Sequence, residues 1–367
     1  MRYFSTNIKK SLETNIKNSN CSYILCFYNY WQMDFKDLTD LPILISDYLT
    51  ENADLNKTID YKDLEEIQLP LSRGKSGKGF RKLLLLSLCD YLGIEIKADD
   101  TRLIIISKFI DLLHNSSLLI DDIEDSSKTR RNEPCAYIQY GVALTLNCGT
   151  FGIFKGVDEL ITCMDSDSIE GLTTEMKYEI LKIINEEIMH LHIGQGLEIY
   201  WRDISLTIPE MESYIKMIRM KTSGMLRIMA RLFLKFFNIP NEKEQDIIKL
   251  MDYIGIVYQI RDDYLNLSSK GATDILEGKF SFPILLGINK ELEETNKSQI
   301  YDIVTKKYKF ETDIELVLDV LEKQKSLKNN EILVNDLVSF IISHFQLKKD
   351  TPINYLLTKL EINNDTK

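Results

Sequence analysis

Residues 103–125 read LIIISKFIDLLHNSSLLIDDIED, a long apolar run that ends in four carboxylates within five positions. Leu103, Ile106, Ile110, Leu113, Ser117 and Ile120 fall at three- and four-residue spacing, which predicts a helix rather than a strand. Lys108, Asp111 and His114 interrupt the run, so it reads as a core helix of a soluble protein and not as a membrane span. The next residues, SSKTRRNEP, break the pattern and leave Asp121, Asp122, Glu124 and Asp125 in the last helical turn. There the helix dipole is already negative, and each acid costs a few tenths to about 1 kcal/mol. Their mutual repulsion adds a few kcal/mol at an effective dielectric of about 20 and a separation of about 4 Å. A cation is therefore expected among them. On a helix turning about 100° per residue, His114, Asp121 and Asp125 lie within about 20° of one line. A solvated acidic face explains neither the apolar lead-in nor the choice of the wrong helix end.

The chain has 367 residues, and only seven prolines interrupt apolar residues at helical spacing elsewhere. The expectation is an all-α fold, a single large bundle of about ten or more helices, with residues 60–367 as one domain. From Asn289 onward, Lys/Glu-rich amphipathic helices look like scaffold. Residues 1–59 form an extension that resists assignment; the Asn- and Lys-rich start matches a signal peptide poorly, and Met33 is an alternative start. A net charge of −11 with no basic stripe argues against nucleic-acid binding. Six scattered cysteines without a CxxC pair suggest neither zinc nor a disulfide frame, so a reducing cytoplasm is expected.

A second acidic group lies in YQIRDDYLNL, where Gln259 and Asp263, and Asp262 and Asn266, are each four residues apart on another apolar helix. Carboxylates on two helices, without cysteine or a suitably placed histidine pair, are hard ligands that suit Mg²⁺. That ion takes one or two carboxylates and completes its shell with phosphate and water. Lys78, Arg81, Arg130, Arg131, Lys221, Lys270 and Lys279 are candidate cations for a phosphate-rich substrate, although singly each reads as a surface charge. GKSGKG is not a P-loop, because Gly79 stands where Ser or Thr is needed after Lys78. His190 and His192 diverge by about 200° on a helix and do not form a metal pair.

Taken together, LLHNSSLLIDDIEDSSKTRRNEP, LHIGQGLEIYWRD, MKTSG, YQIRDDYLNL and EGKFSFP resemble the trans-isoprenyl diphosphate synthases, specifically the eukaryotic geranylgeranyl diphosphate synthase branch. The resemblance covers about Tyr61 to Pro283 in order and spacing. It implies an isoprenoid-synthase bundle around a central prenyl-chain cavity, and Mg²⁺, as three ions bound with the allylic diphosphate. Asp121, Asp125 and Asp262 would hold the metal, with Asp122 and Asp263 in support. Arg130, Lys221, Thr222, Gln259, Lys270 and Lys279 would hold the allylic diphosphate, and Lys78, Arg81, His114 and Arg131 isopentenyl diphosphate. Substrates would be isopentenyl diphosphate with a dimethylallyl, geranyl or farnesyl diphosphate starter, and the assembly a homodimer or larger homo-oligomer. Asn266 replaces the Asp of many relatives, as it does in the branch resembled.

Small Ser116 and Ser117 below Asp121 suggest an open tunnel, with Phe151, Ile153, Phe154 and His192 as candidates for its floor. A C20 product is expected; C15 or a C15/C20 mixture is the alternative. A terpene cyclase is disfavoured by the second motif. A head-to-head synthase is disfavoured by the lack of a reductase or anchor signature. An inactive regulatory subunit is disfavoured by the presence of both acidic motifs and the basic residues. An acidic calcium-binding bundle is disfavoured by the absence of EF-hand spacing.

Overall fold

The computed structural model describes residues 46, 47, 49, 50, 61–73, 80–97, 99–131, 133–166, 169, 171–269 and 271–363. Lys78 and Lys270 lie outside the described residues. The chain divides into two compact units, Met1–Glu65 and Glu66–Lys367. Of the first, residues 46, 47, 49, 50 and 61–65 are described, and they are helical. The following concerns the second.

Fifteen α-helices run through the described residues. They are α1 (Tyr61–Gln68), α2 (Phe80–Leu92), α3 (Thr101–Glu124), α4 (Ala136–Tyr140), α5 (Val142–Asp165), α6 (Thr174–Ile199), α7 (Met211–Lys221) and α8 (Ser223–Phe236). After these come α9 (Glu244–Ser268), α10 (Thr273–Glu277), α11 (Phe282–Thr295), α12 (Gln299–Val304), α13 (Glu311–Lys323), α14 (Ser326–His344) and α15 (Pro352–Thr358). The only sheet among the described residues is a short antiparallel hairpin, β1 (Thr129–Arg130) with β2 (Glu133–Pro134). The expected all-α bundle is what forms.

Twelve of the 14 residues of α8 are buried, which makes it the axis of the bundle; α3, α6 and α9 pack around it. Its buried large side chains, Leu226, Ile228, Met229, Leu232 and Phe233 among them, each contribute about 1.5–3 kcal/mol of transfer free energy. One buried charge ties three helices together. Arg227 of α8 donates to Glu187 of α6 at 2.7–3.0 Å and to Asp252 of α9 at 2.5 Å.

Helix α3 is the quoted stretch. Asp100 caps its N-terminus by accepting from the Arg102 amide at 2.9 Å, and Asp125 caps its C-terminus, so the acids do occupy the last turn. Among the described residues it is the one helix long and apolar enough to cross a membrane. Here its Leu103, Ile106, Phe109, Ile110 and Leu113 lie in the main core instead.

The partner of α3 is α5, and glycines set the approach. Gly149, Gly152 and Gly156 line the face of α5 that meets Ile120, Ser116 and Phe109. A methyl group on Gly152 would lie 2.2 Å from Ser116 Oγ and 3.2 Å from Leu71 Cδ1. Substituting Gly152→Ala should therefore cost about 1–3 kcal/mol, read as a lower urea midpoint. The buried Ser116 Oγ has no hydrogen-bond partner among the described residues, so Ser116→Ala alone should cost little. In the double variant it should return part of the loss, because the next Ser116 atom, Cβ, stands 3.3 Å from that methyl position.

Candidate active site

The last turn of α3 carries Asp121, Asp122, Glu124 and Asp125, and the chain then reverses through the β1–β2 hairpin. The turn at Ser126 and Ser127, which closes onto the Ile123 and Asp122 carbonyls, brings Arg130 of β1 back to the acids, where Nη2 donates to Asp121 at 2.8 Å and Nε to Asp122 at 2.6 Å. Asp125 is held from two other elements. Arg202 Nη1 donates to Oδ1 at 2.6 Å and Lys279 Nζ to Oδ2 at 2.5 Å. Gln195 of α6 donates to Glu124 at 2.9 Å and to Asp121 at 3.3 Å. Positive charge reaches the acidic run from three side chains, Arg130 close by in sequence and Arg202 and Lys279 from distant parts of it.

The second acidic group sits on α9. Asp263 is buried and accepts from the Tyr214 hydroxyl, from Gln259 at 2.8 Å and from the Phe282 amide at 2.8 Å. It is a core anchor between α7, α9 and α11. Half-buried Asp262 is approached by Asn266 Nδ2 at 3.5 Å, and the same amide group donates to buried Asp274 of α10 at 2.9 Å. The Lys279 amide closes this turn onto the Asp274 carbonyl at 2.9 Å, and its ammonium reaches Asp125 and, at 2.8 Å, Glu277. Lys279 thus meets Asp125 of the first group through its side chain and Asp274, the partner of Asn266, through its backbone. At the α7–α8 junction Lys221 pairs with Glu198 of α6, and Thr222 donates to Gln259 at 2.6 Å.

Burial and pairing set the charge states. Burial raises the Asp125 carboxyl, but Lys279, then Lys221 and the bonds from Lys279 and Arg202, hold it below the ordinary range. Asp122 and Glu124 are raised, by burial first. Burial pushes Asp263 up to about 6 despite its three donors. The Lys221 and Lys279 ammonium groups are pushed down by burial, and Glu198 leads the charges that more than offset it. Cys135, beside Asp122, has its thiol pushed up to about 12 by burial and then by that carboxylate, so it stays protonated.

Among the described residues no three His, Cys, Asp or Glu side chains form a ready-made metal cage. The acids available are oxygen donors, each already matched by a Lys, Arg or amide. That donor chemistry fits Mg²⁺ bound by one or two carboxylates together with substrate phosphate, and it does not fit a closed thiolate or imidazole site.

A separate basic group surrounds His114. Burial first, then the charges of Arg81, Arg130 and Arg131, lowers its imidazole to about 3, so it is neutral at physiological pH. Arg81 meets Asp111 only at 3.4 Å, and its buried Nε has no partner among the described residues. Arg130 is shared with the acidic cluster, since it is bonded to Asp121 and Asp122 as well. A 220 Å³ groove lined by Lys82, Leu86, Ile104, Lys108 and Asp111 borders this group through Asp111, the partner of Arg81.

The tunnel candidates separate. Ser117 is half-buried one turn below Asp121, with its hydroxyl on the His114 carbonyl at 2.9 Å, and Phe151 is half-buried on α5. Ser116 is corrected to a helix-packing residue, fully buried against Gly152. Ile153 lies in the main core. Phe154 is 70% exposed and His192 is also exposed, so neither lines the interior of this chain. The glycines of α5 occupy its inner face and turn Phe154 outward. On α6, Gly194 takes the inner face against the Lys221 backbone, and His192, two residues earlier, points away.

Arg202, Gln195, Glu198 and Asp274 are site residues that the sequence reading left without a role. Their signal was spacing: Gln195, Glu198 and Arg202 stand at i, i+3 and i+7, one helical face.

The depressed His114 value has a definite sign. Its contribution to stability is present above 6.5, the ordinary histidine value, and is lost as pH falls from there toward 3. The His114 C2 proton resonance should not titrate between about pH 5 and 8 in the free protein. Saturating inorganic pyrophosphate, by offsetting the arginine charges, should raise the His114 pKa while burial still holds it below the ordinary histidine value, measurable by NMR.

The Polyprenyl synthetase family profile matches residues 67–321. The chain is 37% identical over 265 residues to a geranylgeranyl pyrophosphate synthase of Penicillium canescens, covering 70% of this chain and 72% of the relative. It is 36% identical over 285 residues to a geranylgeranyl pyrophosphate synthase of Dictyostelium discoideum, covering 76% and 86%. A third such synthase, from Mucor circinelloides f. lusitanicus, is 39% identical over 239 residues, covering 62% and 70%. With the family profile spanning most of the chain and the paired acidic helices in place, this chain belongs to the polyprenyl synthetase family.

Proposed function

We propose that this protein is a Mg²⁺-dependent trans-prenyltransferase that condenses isopentenyl diphosphate with an allylic diphosphate and makes geranylgeranyl diphosphate, C20. The observation that carries this reading is the convergence of Arg130, Arg202 and Lys279 on the acidic end of α3, beside Arg81 and Arg131 near His114. Two diphosphates need two basic sites, and the names of the similar proteins agree with the product.

On this reading Asp121, Asp125 and Asp262 hold magnesium, which when bound supplies Lewis-acid stabilisation of the departing diphosphate. Asp122 and Asp263 act in support, Asp263 as an anchor within the core. Arg130, Lys221 and Lys279 bind the oxygens of the allylic diphosphate, Thr222 and Gln259 complete its polar wall, and Lys270 is assigned there by resemblance. Arg81, Arg131 and neutral His114, with Lys78 by resemblance, orient isopentenyl diphosphate. The allylic C–O bond then breaks, the isopentenyl double bond attacks the allylic carbon, and a proton leaves to the released diphosphate. No side-chain nucleophile takes part; the protein positions two substrates and stabilises negative charge already separated from water.

Ser117 and Phe151 are proposed to line the chain tunnel. Val142, Leu146 and Phe154 on α5, and Met189 and Ile193 on α6 with Tyr200 just beyond it, expose apolar stripes that support a homodimer. Free thiols at Cys89, Cys135, Cys148 and Cys163 suit a reducing cytoplasm.

The test uses purified protein, Mg²⁺ and isopentenyl diphosphate with dimethylallyl, geranyl or farnesyl diphosphate in separate reactions, and mass spectrometry of the products. C20 is expected, abolished by chelator and reduced about a hundredfold or more by Asp121→Ala. Ser117→Phe should shorten the product to C15. Absence of condensation with every starter would overturn the proposed activity, and an unchanged product from Ser117→Phe would overturn the tunnel assignment.

A further inference from the structure

Arg202 lies in a single π turn, Tyr200–Ser205, that continues α6 beyond Ile199. A π turn holds one more residue per turn than an α-helix, and such turns recur where a side chain must be re-aimed. Here the re-aimed side chain is Arg202, whose side chain is 6% exposed against a 3% exposed Asp125. Four bonds fix it. Nε and Nη2 fork onto Asp203 at 2.8 and 2.9 Å, Nη2 also donates to the Glu124 carbonyl at 2.8 Å, and Nη1 reaches Asp125 Oδ1 at 2.6 Å. Arg202 thus meets both the last carbonyl of α3, that of Glu124, and the carboxylate of its C-cap residue, neutralising a helix end made doubly negative.

The other oxygen of Asp125 is held differently. Lys279 contacts Oδ2 with one flexible ammonium, and its second acidic partner is Glu277. An incoming cation can displace Lys279 by rotation of its stem, whereas displacing Arg202 would break the fork to Asp203 and the bond to the α3 carbonyl as well. An anion arriving with that cation gives Lys279 a new partner in the same place. The proposal below rests on the prenyltransferase reading above and assigns a role to a residue that reading does not use.

We infer that Arg202 is a positioning residue that locks Asp125 Oδ1 and presents Oδ2 to magnesium, and that Lys279 is the exchangeable cation that leaves Oδ2 for the diphosphate on loading. Mg²⁺ with inorganic pyrophosphate serves as the probe, titrated by calorimetry into wild type, Arg202→Gln, Arg202→Lys and Asp203→Asn. Steady-state kcat and the KM for isopentenyl diphosphate are measured alongside. Arg202→Gln should weaken Mg²⁺–pyrophosphate binding about tenfold or more, as removal of a group that orients a metal ligand does. Arg202→Lys should recover part of the loss, and Asp203→Asn, which loosens the fork from a 47% exposed position, should fall between. The KM for isopentenyl diphosphate should stay within about twofold, since that site is built on Arg81, His114 and Arg131; a merely structural defect would move both.

Lys279→Gln should tighten Mg²⁺ alone while weakening Mg²⁺–pyrophosphate. Loss of both would overturn the exchange. Equal Mg²⁺–pyrophosphate binding by wild type, Arg202→Gln and Asp203→Asn would overturn the positioning role; should Arg202→Gln not fold, Asp203→Asn and Arg202→Lys decide it by the same criterion. Failure of wild type itself to bind Mg²⁺–pyrophosphate would instead overturn the prenyltransferase reading, an outcome distinct from equal binding by all.

Discussion

Carboxylates buried at the negative end of a buried helix cannot stand without cations, and the arrangement of this molecule follows from supplying them. Asp122 and Asp125 are nearly inaccessible, and each depends on charges carried by other elements: Arg130 from the hairpin eight residues on, and, far away in sequence, Arg202 from the end of α6 and Lys279 from the turn after α10. Removing one partner from such a pair leaves an uncompensated buried charge, a loss of about 3–5 kcal/mol. The hairpin, the π turn and the α10–α11 turn are therefore held to one point by the same electrostatic requirement.

That requirement also suits the chemistry of the proposed reaction. Acids and bases satisfy one another across the site, which stabilises the folded chain. A polyanion and a divalent cation entering together would find matched partners already in place, so loading exchanges pairs and leaves little net charge to be created in a low-dielectric site. The fixed fork of Arg202 and the mobile stem of Lys279 divide this work between a guanidinium that orients and an ammonium that moves. Around His114 the balance differs. Burial first, and then the charges of Arg81, Arg130 and Arg131, keep the imidazole neutral.

Packing supplies the second constraint. Because α5 meets α3 through Gly149, Gly152 and Gly156, the two helices approach closely enough to enclose Ser116 completely. Its neighbour Ser117, about 100° around the helix, is left half-buried below Asp121. Two adjacent serines thereby acquire different roles, one as a contact between helices and one as a wall of the site.

Much of this was legible in the sequence because it is local. Helical periodicity, the acids in the last turn of α3, the repeated acidic group on α9 and the capping Asp100 are set by residues within a few turns of each other, and so are the class of fold and the hard-ligand chemistry. What the sequence could not declare is which distant residues complete those groups. Arg202 and Asp125 are separated by 77 positions, and Lys279 and Asp125 by 154, so no spacing rule relates them. Nor does a helical pattern say which of two small-residue faces turns inward, which is why Phe154 and His192 look like interior candidates in sequence and stand outside in the structure. Periodicity determines the elements and their chemical type; only the close approach of α5 to α3, of α6 to α7 and of the π turn to the end of α3 decides which side chains share a volume.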